Sequence, residues 1–370
     1  MTQVVKFGIV GLGIMGRDHA NAVRQMERAR LTAVCDADAG QFAKLPGTDG
    51  METFTDADRF FASADMDAVV IATPHYDHVP LALKALEHGK HVLVEKPISA
   101  HVALARQLVD AIPRYPNQQL AVMFNQRTLP AHRKIKQLID GGELGTIRRV
   151  NWIITNWFRT QAYYDSGGWR GTWKGEGGGV LINQCPHQLD LMQWFFGMPC
   201  RVTAYAALGK YHDIEVEDDV TALLEYPSGA TGVFIASTGE APGTNRLEIT
   251  AENGRLVYEQ GALRYTRNET PMSEFSRASP QRSARPDVWD VAIPVEADAS
   301  RQHRDVIENF RDAILNGADL IAPAAEGVRS LELGNAMLYA GLKRTTVELP
   351  LDGEAYEREL RRLMGNQIHD

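Results

Sequence analysis

Two side chains stand where proton chemistry can be done. Lys96 sits in Glu95-Lys96-Pro97, directly after the apolar run His91 to Val94; His187 has Asn183 four residues before it and Asp190 three after. Imidazole changes charge near neutral pH without large tuning, and a lysine at the carboxyl end of a strand is well placed to take part in moving a proton. Oxidising a secondary alcohol needs such a group for the hydroxyl proton, besides an acceptor for the hydride. On a helix, spacings of four and three put Asn183, His187 and Asp190 on one face. Leu181, Leu189, Met192, Phe195 and Phe196 offer a buried side, and Gly197 closes the stretch that opens at Gly177. Pro186 removes a backbone donor inside it, so the helix is expected to kink there or to become regular only from that point. A lone helix histidine is more often structural; two polar neighbours and Lys96 favour chemistry here.

The elements that must position these groups begin at the first residues. Val4 to Val10 reads as a strand and runs into Gly11-Leu12-Gly13-Ile14-Met15-Gly16, then a helical stretch to about Met26. Gly11 permits the turn, Gly13 lets backbone approach a pyrophosphate, and Gly16 lets the helix pack on the strand, with the helix N-terminus facing the anion. A second strand, Leu31 to Cys35, ends at Asp36, twenty residues after Gly16, where a carboxylate can accept from ribose hydroxyls. Asp at a strand end also simply starts turns. Ala37 and Asp38 follow rather than an arginine, which favours NAD over NADP because a 2′-phosphate would meet negative charge. The charge-free run Asp67 to Ala72 reads as a central parallel strand buried on both faces, delivering Thr73-Pro74-His75 and His78 to the ligand end of the sheet.

Composition narrows the classes. Hydrophobic residues make up 44% and charged residues 23% of the chain, as in compact soluble proteins. Its length suggests two domains. Thirty-nine basic against forty-seven acidic residues give a net charge of −8, the wrong sign for a nucleic-acid partner. No apolar run approaches the roughly 18 residues that span a bilayer, and the start enters a strand pattern without a signal-peptide region, so a cytoplasmic protein is expected. Cys35, Cys185 and Cys200 are far apart, without C-x-x-C spacing, which argues for reduced thiols and against a metal site.

GLGIMG, Asp36, TPHYDH and EKP in this order resemble the Gfo/Idh/MocA oxidoreductases, a likeness that FNQR (Phe124 to Arg127), LIDGGELGTI (Leu138 to Ile147), GGGVLINQCPHQLD (Gly177 to Asp190) and QHRDVIENFRDAI (Gln302 to Ile314) extend along nearly the whole chain. The resemblance implies an α/β protein: an N-terminal Rossmann domain (1–123), then an α+β substrate-binding and oligomerisation domain (124–370) with a large open, mainly antiparallel sheet. The C-terminal helices are free to pack back on the first domain. It implies NAD(P)-dependent oxidation of sugars, glycosides or cyclitols by homodimers or homotetramers pairing through the open sheet. The strand-like stretches Arg148 to Asn156, Arg201 to Leu208, Asp219 to Tyr226, Ala230 to Ser237, Arg246 to Ala251 and Arg255 to Tyr258 fit that outline. Helical periodicity returns at Arg301 to Asn316 and Ala324 to Arg344, while Glu269 to Asp290 reads as a mobile loop.

By the same resemblance His187 is the general acid/base and Lys96 orients the substrate hydroxyl, stabilising a developing alkoxide. The cofactor set is Gly11, Gly13, Ile14, Met15, Gly16, Asp36, Thr73, Pro74, His75, His78, Glu95, Lys96 and Asn125. Many members carry Asp four residues before the histidine; here it is Asn183, which can orient the ring but not balance its charge, leaving Asp190 as the alternative. Trp157, Arg159, Tyr163, Trp169 and Arg170 concentrate aromatics and arginines just before the glycine run and read either as a sugar-binding loop, with rings stacking on sugar faces, or as a subunit interface. Arg127 and His303 join the substrate set by family position. Two other functions share the motifs: an NAD-retaining glycosidase using transient oxidation, and a non-catalytic dinucleotide sensor, which would need neither Lys96 nor His187.

Overall fold

The computed structural model describes residues 3–47, 50–296 and 301–365. Contacts divide the chain into two compact units: Met1–Thr128 with Gly175–Gly177 and Ser300–Leu331, and Leu129–Lys174 with Gly178–Ala299 and Glu332–Asp370.

The first unit holds six parallel strands: β1 (Val5–Val10), β2 (Ala29–Cys35), β3 (Glu52–Phe54), β4 (Ala68–Ile71), β5 (His91–Val94) and β6 (Leu120–Val122), ordered β3-β2-β1-β4-β5-β6. This is the doubly wound dinucleotide-binding order, with its topological switch between β1 and β4. β4 is buried at all four residues, as its charge-free run requires. Phe7, Ile9, Val70 and Leu93 form a core on which Val306, Ile307 and Phe310 of the helix Gln302–Asn316 pack. Lys96–Pro97 is a cis peptide.

The second unit is built on a nine-stranded sheet. Its strands are β7 (Ile147–Ile154), β8 (Arg201–Leu208), β9 (Glu217–Glu225), β10 (Thr231–Ser237), β11 (Asn245–Ala251), β12 (Gly254–Glu259), β13 (Ala262–Asn268), β14 (Val288–Ile293) and β15 (Val347–Glu348). They lie in the order β14-β13-β12-β11-β7-β10-β9-β8-β15. Every pairing is antiparallel except β7 with β10. Period-2 alternation makes one face apolar: Val150, Trp152, Ile154, Val220, Leu224, Phe234, Leu247 and Ile249 are buried, while the opposite face shows Tyr205 at 62% and Leu223 at 56% exposure. The expected loop Glu269 to Asp290 is corrected in part: it holds the helix Met272–Ala278 and runs into β14, an outer strand whose residues are mostly exposed and so lack the buried alternation that marks a strand. At the other edge β15 pairs with two residues of β8, and the helix Ala324–Lys343 comes against β8 at Gly341, where an added Cβ would sit 2.8 Å from the Ala206 nitrogen. Among the described residues no helix is long and apolar enough to cross a membrane.

Candidate active site

The turn after β1 has the shape a dinucleotide's diphosphate requires. Gly11 takes φ +88, and a Cβ on Gly16 would stand 1.8 Å from the Gly11 carbonyl oxygen, so the helix Ile14–Arg24 reaches the strand only because Gly16 has none. A Cβ on Gly13 would meet nothing within 4 Å, so that backbone is open to a ligand. The helix start, capped by no side chain, leaves its first amides, those of Ile14, Met15 and Gly16, toward that opening. Asp36 Oδ2 accepts from the Leu12 amide at 2.6 Å and Oδ1 from the Asp38 amide at 2.9 Å, which fixes the carboxylate and leaves a lone pair on each oxygen. Deeper in the unit, Thr73 Oγ1 and Asn125 Oδ1 are buried polar atoms with no partner among the described residues, while Pro74 between them in the chain is exposed. These residues fit a bound dinucleotide. Cys35 next to Asp36 is no competing nucleophile: burial, with the charges of Asp36 and Asp56, pushes its thiol to about 12.

Behind Lys96 lies a buried network the sequence did not announce. His19 Nε2 and Glu95 Oε1 are 2.6 Å apart, Glu95 Oε2 accepts from the Lys96 backbone amide at 3.0 Å, and the His303 ring packs on His19 with centroids 5.7 Å apart. Burial would push the Glu95 carboxyl up, but the His19 bond and charge, with Lys96 and His303 nearby, hold it at about 2. His19 follows Gly16 by three residues on the same helix, a spacing that could have flagged it. Glu95 is buried and supports the Lys96 backbone. His78, 1% exposed, has Nδ1 on the Pro97 carbonyl and Nε2 on the Thr73 carbonyl, both at 2.8 Å, and so ties together the loops after β4 and β5. Arg127, 2% exposed, bonds the Ile321 carbonyl at 3.0 Å and pairs with Glu326. His303 is half-buried beside Asn125, whose Nδ2 lies 3.2 Å from its Nε2. His75, with Nδ1 3.1 Å from the Glu176 carbonyl oxygen, is pushed to about 3 by burial and by the neighbouring His78 and Lys96 charges.

In the second unit the stretch expected as one helix is two, Val180–Asn183 and Pro186–Phe196, because proline opens the second at a position where no intrahelical donor is needed. Asn183 thus belongs to the short first helix and does not share a continuous face with His187. Asp190, 1% exposed, accepts from Gln193 Nε2 at 3.0 Å. His187 is half-buried in the first turn of the second helix. What fixes this region is Glu217, fully buried at the start of β9: Oε2 accepts from the Gly179 amide at 2.8 Å and Oε1 from the Leu181 amide at 3.1 Å, capping the short helix from outside. Gly179 has no room for a side chain, since its Cβ would stand 1.9 Å from the Glu217 carbonyl oxygen. In sequence Glu217 is part of Glu215-Val216-Glu217-Asp218-Asp219, four acids in five residues. Asp218 is also fully buried and accepts from the Lys210, Tyr211 and His212 amides at 2.9, 2.8 and 3.1 Å.

The aromatic segment carries its own cations. The Arg159 guanidinium lies 5.3 Å from the Trp157 ring centroid and 4.8 Å from that of Tyr163; Arg170 lies 4.7 Å from Tyr163 and 4.5 Å from Trp169. Arg170 Nη1 donates to Tyr163 Oη at 2.9 Å, and Gln184 Nε2 donates to the same oxygen at 3.3 Å, joining the segment to the turn between the two short helices. Among the described residues no group of three or more His, Cys, Asp or Glu is placed to hold a metal ion.

Comparisons with known proteins agree with this architecture. Residues 5–124 match the model of the oxidoreductase family with an NAD-binding Rossmann fold, and residues 132–257 match the GFO/IDH/MocA C-terminal domain. The chain belongs to the Gfo/Idh/MocA family of NAD-binding oxidoreductases. It is 28% identical over 352 residues to inositol 2-dehydrogenase of Rhizobium meliloti (strain 1021), covering 94% of this chain and 100% of that one. It is 31% identical over 195 residues to inositol 2-dehydrogenase of Rubrobacter xylanophilus, covering 52% and 53%. Among solved structures, the WlbA dehydrogenase from Bordetella pertussis in complex with NADH and UDP-GlcNAcA superposes with a TM-score of 0.80 at 27% identity, covering 95% of this chain and 100% of that one.

Proposed function

We propose that this protein is an NAD-preferring dehydrogenase acting on a secondary hydroxyl of a sugar, glycoside or cyclitol. The observation that carries the reading is the glycine turn with Asp36 clamped beside it, in a unit whose β5 delivers Lys96 at the ligand end of the sheet. The inositol dehydrogenase relatives and the neighbour solved with UDP-GlcNAcA support the substrate class. NAD is preferred over NADP because Asp36 is followed by Asp38, whose carboxyl is held low by the Gly40 amide and the Gln41 side chain, while Arg17 spends its guanidinium on the Leu12 carbonyl at 2.7 Å. Bound NAD supplies the hydride acceptor. Lys96 Nζ donates to the substrate hydroxyl oxygen and stabilises it as negative charge grows, and the His187 ring accepts the proton. The His19–Glu95 pair holds the Lys96 backbone amide. Pairing of two copies through the open sheet face would cover Tyr205 and Leu223.

The test is NADH formation across a panel of monosaccharides, glycosides and inositols, followed by Lys96→Ala and His187→Ala on the best substrate. Turnover is expected to fall about 100-fold or more in each, with NAD affinity kept. Wild-type turnover in Lys96→Ala would overturn the assignment, and product release without NADH accumulation would replace it by the NAD-retaining glycosidase.

A further inference from the structure

Arg159 is a cation that the second unit holds but does not neutralise. Its guanidinium sits against Trp157 and Tyr163, Nη1 donates to the Phe158 carbonyl at 3.2 Å, and no carboxylate among the described residues lies within ion-pair distance of it. Its Nε is buried with no acceptor, and so is Nε1 of Trp157 two residues earlier. Two buried N–H donors without acceptors cost free energy unless something supplies the missing lone pairs.

The backbone around this cation is anchored firmly. The Arg159 amide donates to the Thr238 carbonyl at 2.9 Å, and the Arg159 carbonyl oxygen lies 3.0 Å from Nε2 of His212. The other ring nitrogen of His212 is 2.9 Å from the buried Asp218 carboxylate, and Tyr164 packs on the ring with centroids 4.8 Å apart. Asp218, His212 and Thr238 therefore fix where Arg159 stands. Three carboxylates, Asp165, Asp213 and Glu215, line the shallow cleft that includes Arg170, so of the two arginines Arg159 is the one suited to an anion.

We infer that Arg159, with the Trp157 indole N–H beside it, is the subsite for an anionic substituent of the substrate, a carboxylate or a phosphoryl oxygen. The guanidinium, with Nε buried and Nη1 still open to solvent, recognises such oxygens through charge-assisted hydrogen bonds. The inference rests on the sugar or cyclitol reading above and narrows it to acidic or phosphorylated members of that class.

Calorimetric titration of the NADH-saturated protein with glucuronate, glucose 1-phosphate and glucose tests it. At least one anionic probe is expected to bind about ten- to a hundredfold more tightly than glucose, an advantage that shrinks as salt is added. The probe that shows the advantage identifies its source, ring carboxylate or phosphate. In Arg159→Gln the ratio of anionic to neutral affinity should collapse, and in Arg159→Lys, which keeps the charge but not the fork, it should be intermediate. Equal binding of all three sugars by the wild type, or an undiminished ratio in folded Arg159→Gln, would overturn the inference. An Arg159-dependent ratio without NADH formation from any sugar would keep it and remove the dehydrogenase reading, while turnover of neutral sugars with no anionic advantage would do the reverse.

Discussion

Gly13 and Gly16 separate what the fold needs from what a ligand needs. In Gly16→Ala the new methyl would stand 1.8 Å from the Gly11 carbonyl oxygen and 2.9 Å from its carbon, both backbone atoms that cannot rotate away. The helix has to back off the strand, at a cost of about 1–3 kcal/mol or more. In Gly13→Ala the methyl meets nothing within 4 Å, and the backbone there, φ −60 and ψ −166, is open to alanine. Stability should stay within about 1 kcal/mol of wild type, since the lost freedom of the unfolded chain and the poorer N-cap partly cancel. The same methyl projects into the space through which a diphosphate would approach, and a contact overfilled by one carbon costs about 1–3 kcal/mol, or roughly five- to 160-fold in Kd. Thermal unfolding without ligand and NADH titration by fluorescence read the two effects apart. Gly13→Ala should keep the wild-type Tm and lose affinity, and Gly16→Ala should lose both. If Gly13→Ala bound NADH as the wild type does, the diphosphate would not lie against that backbone and the cofactor placement would be wrong.

Other consequences can be checked alongside. Glu217→Ala leaves the Gly179 and Leu181 amides buried without an acceptor, a loss of about 1–3 kcal/mol for each, while Glu217→Gln should forfeit about half as much; urea unfolding measures both, and a shift below about 1 kcal/mol in the alanine variant would contradict the capping role. Acid should destabilise the protein through His75, whose folded value of about 3 lies below its ordinary 6.5: between those pH values the unfolded chain takes up a proton that the folded chain refuses, so stability falls as pH falls. Glu95, ionised down to about 2 instead of its ordinary 4.5, adds to the loss in the same direction below about pH 4.5. A urea midpoint followed from pH 7 to pH 4 should slope less steeply in His75→Gln, and an unchanged slope would remove His75 as the source.

The first unit was readable because local rules and tertiary needs coincide there. The glycines at 11, 13 and 16 each answer a separate steric demand, and a charge-free run such as β4 has no stable place except between two layers. The second unit was less readable where burial overrides residue type. Glu217 and Asp218 look like surface acids in sequence, and only the amides that converge on them explain their burial. Pro186 ends one helix by starting another, so the spacing of Asn183, His187 and Asp190 predicts a shared face that the backbone does not build. The sequence from 157 to 169 shows a concentration of rings and cations, but composition alone does not show that the cations lie against the rings. β14 is not legible in the sequence because an outer, mostly exposed strand has no apolar alternation to mark it.

The two margins of the nine-stranded sheet differ in their capacity to recruit further chain. Along β8 the free ladder is stopped by a two-residue strand and by a helix that Gly341 allows to sit against Ala206. At the far margin β14 pairs with β13 on one side only, so alternate residues along its six-residue length turn their amides and carbonyls outward, with Val288 and Trp289 half exposed. Misassembly by strand addition is thereby confined to a single direction, and a lysine on β14 would guard against it where one on β8 would do little.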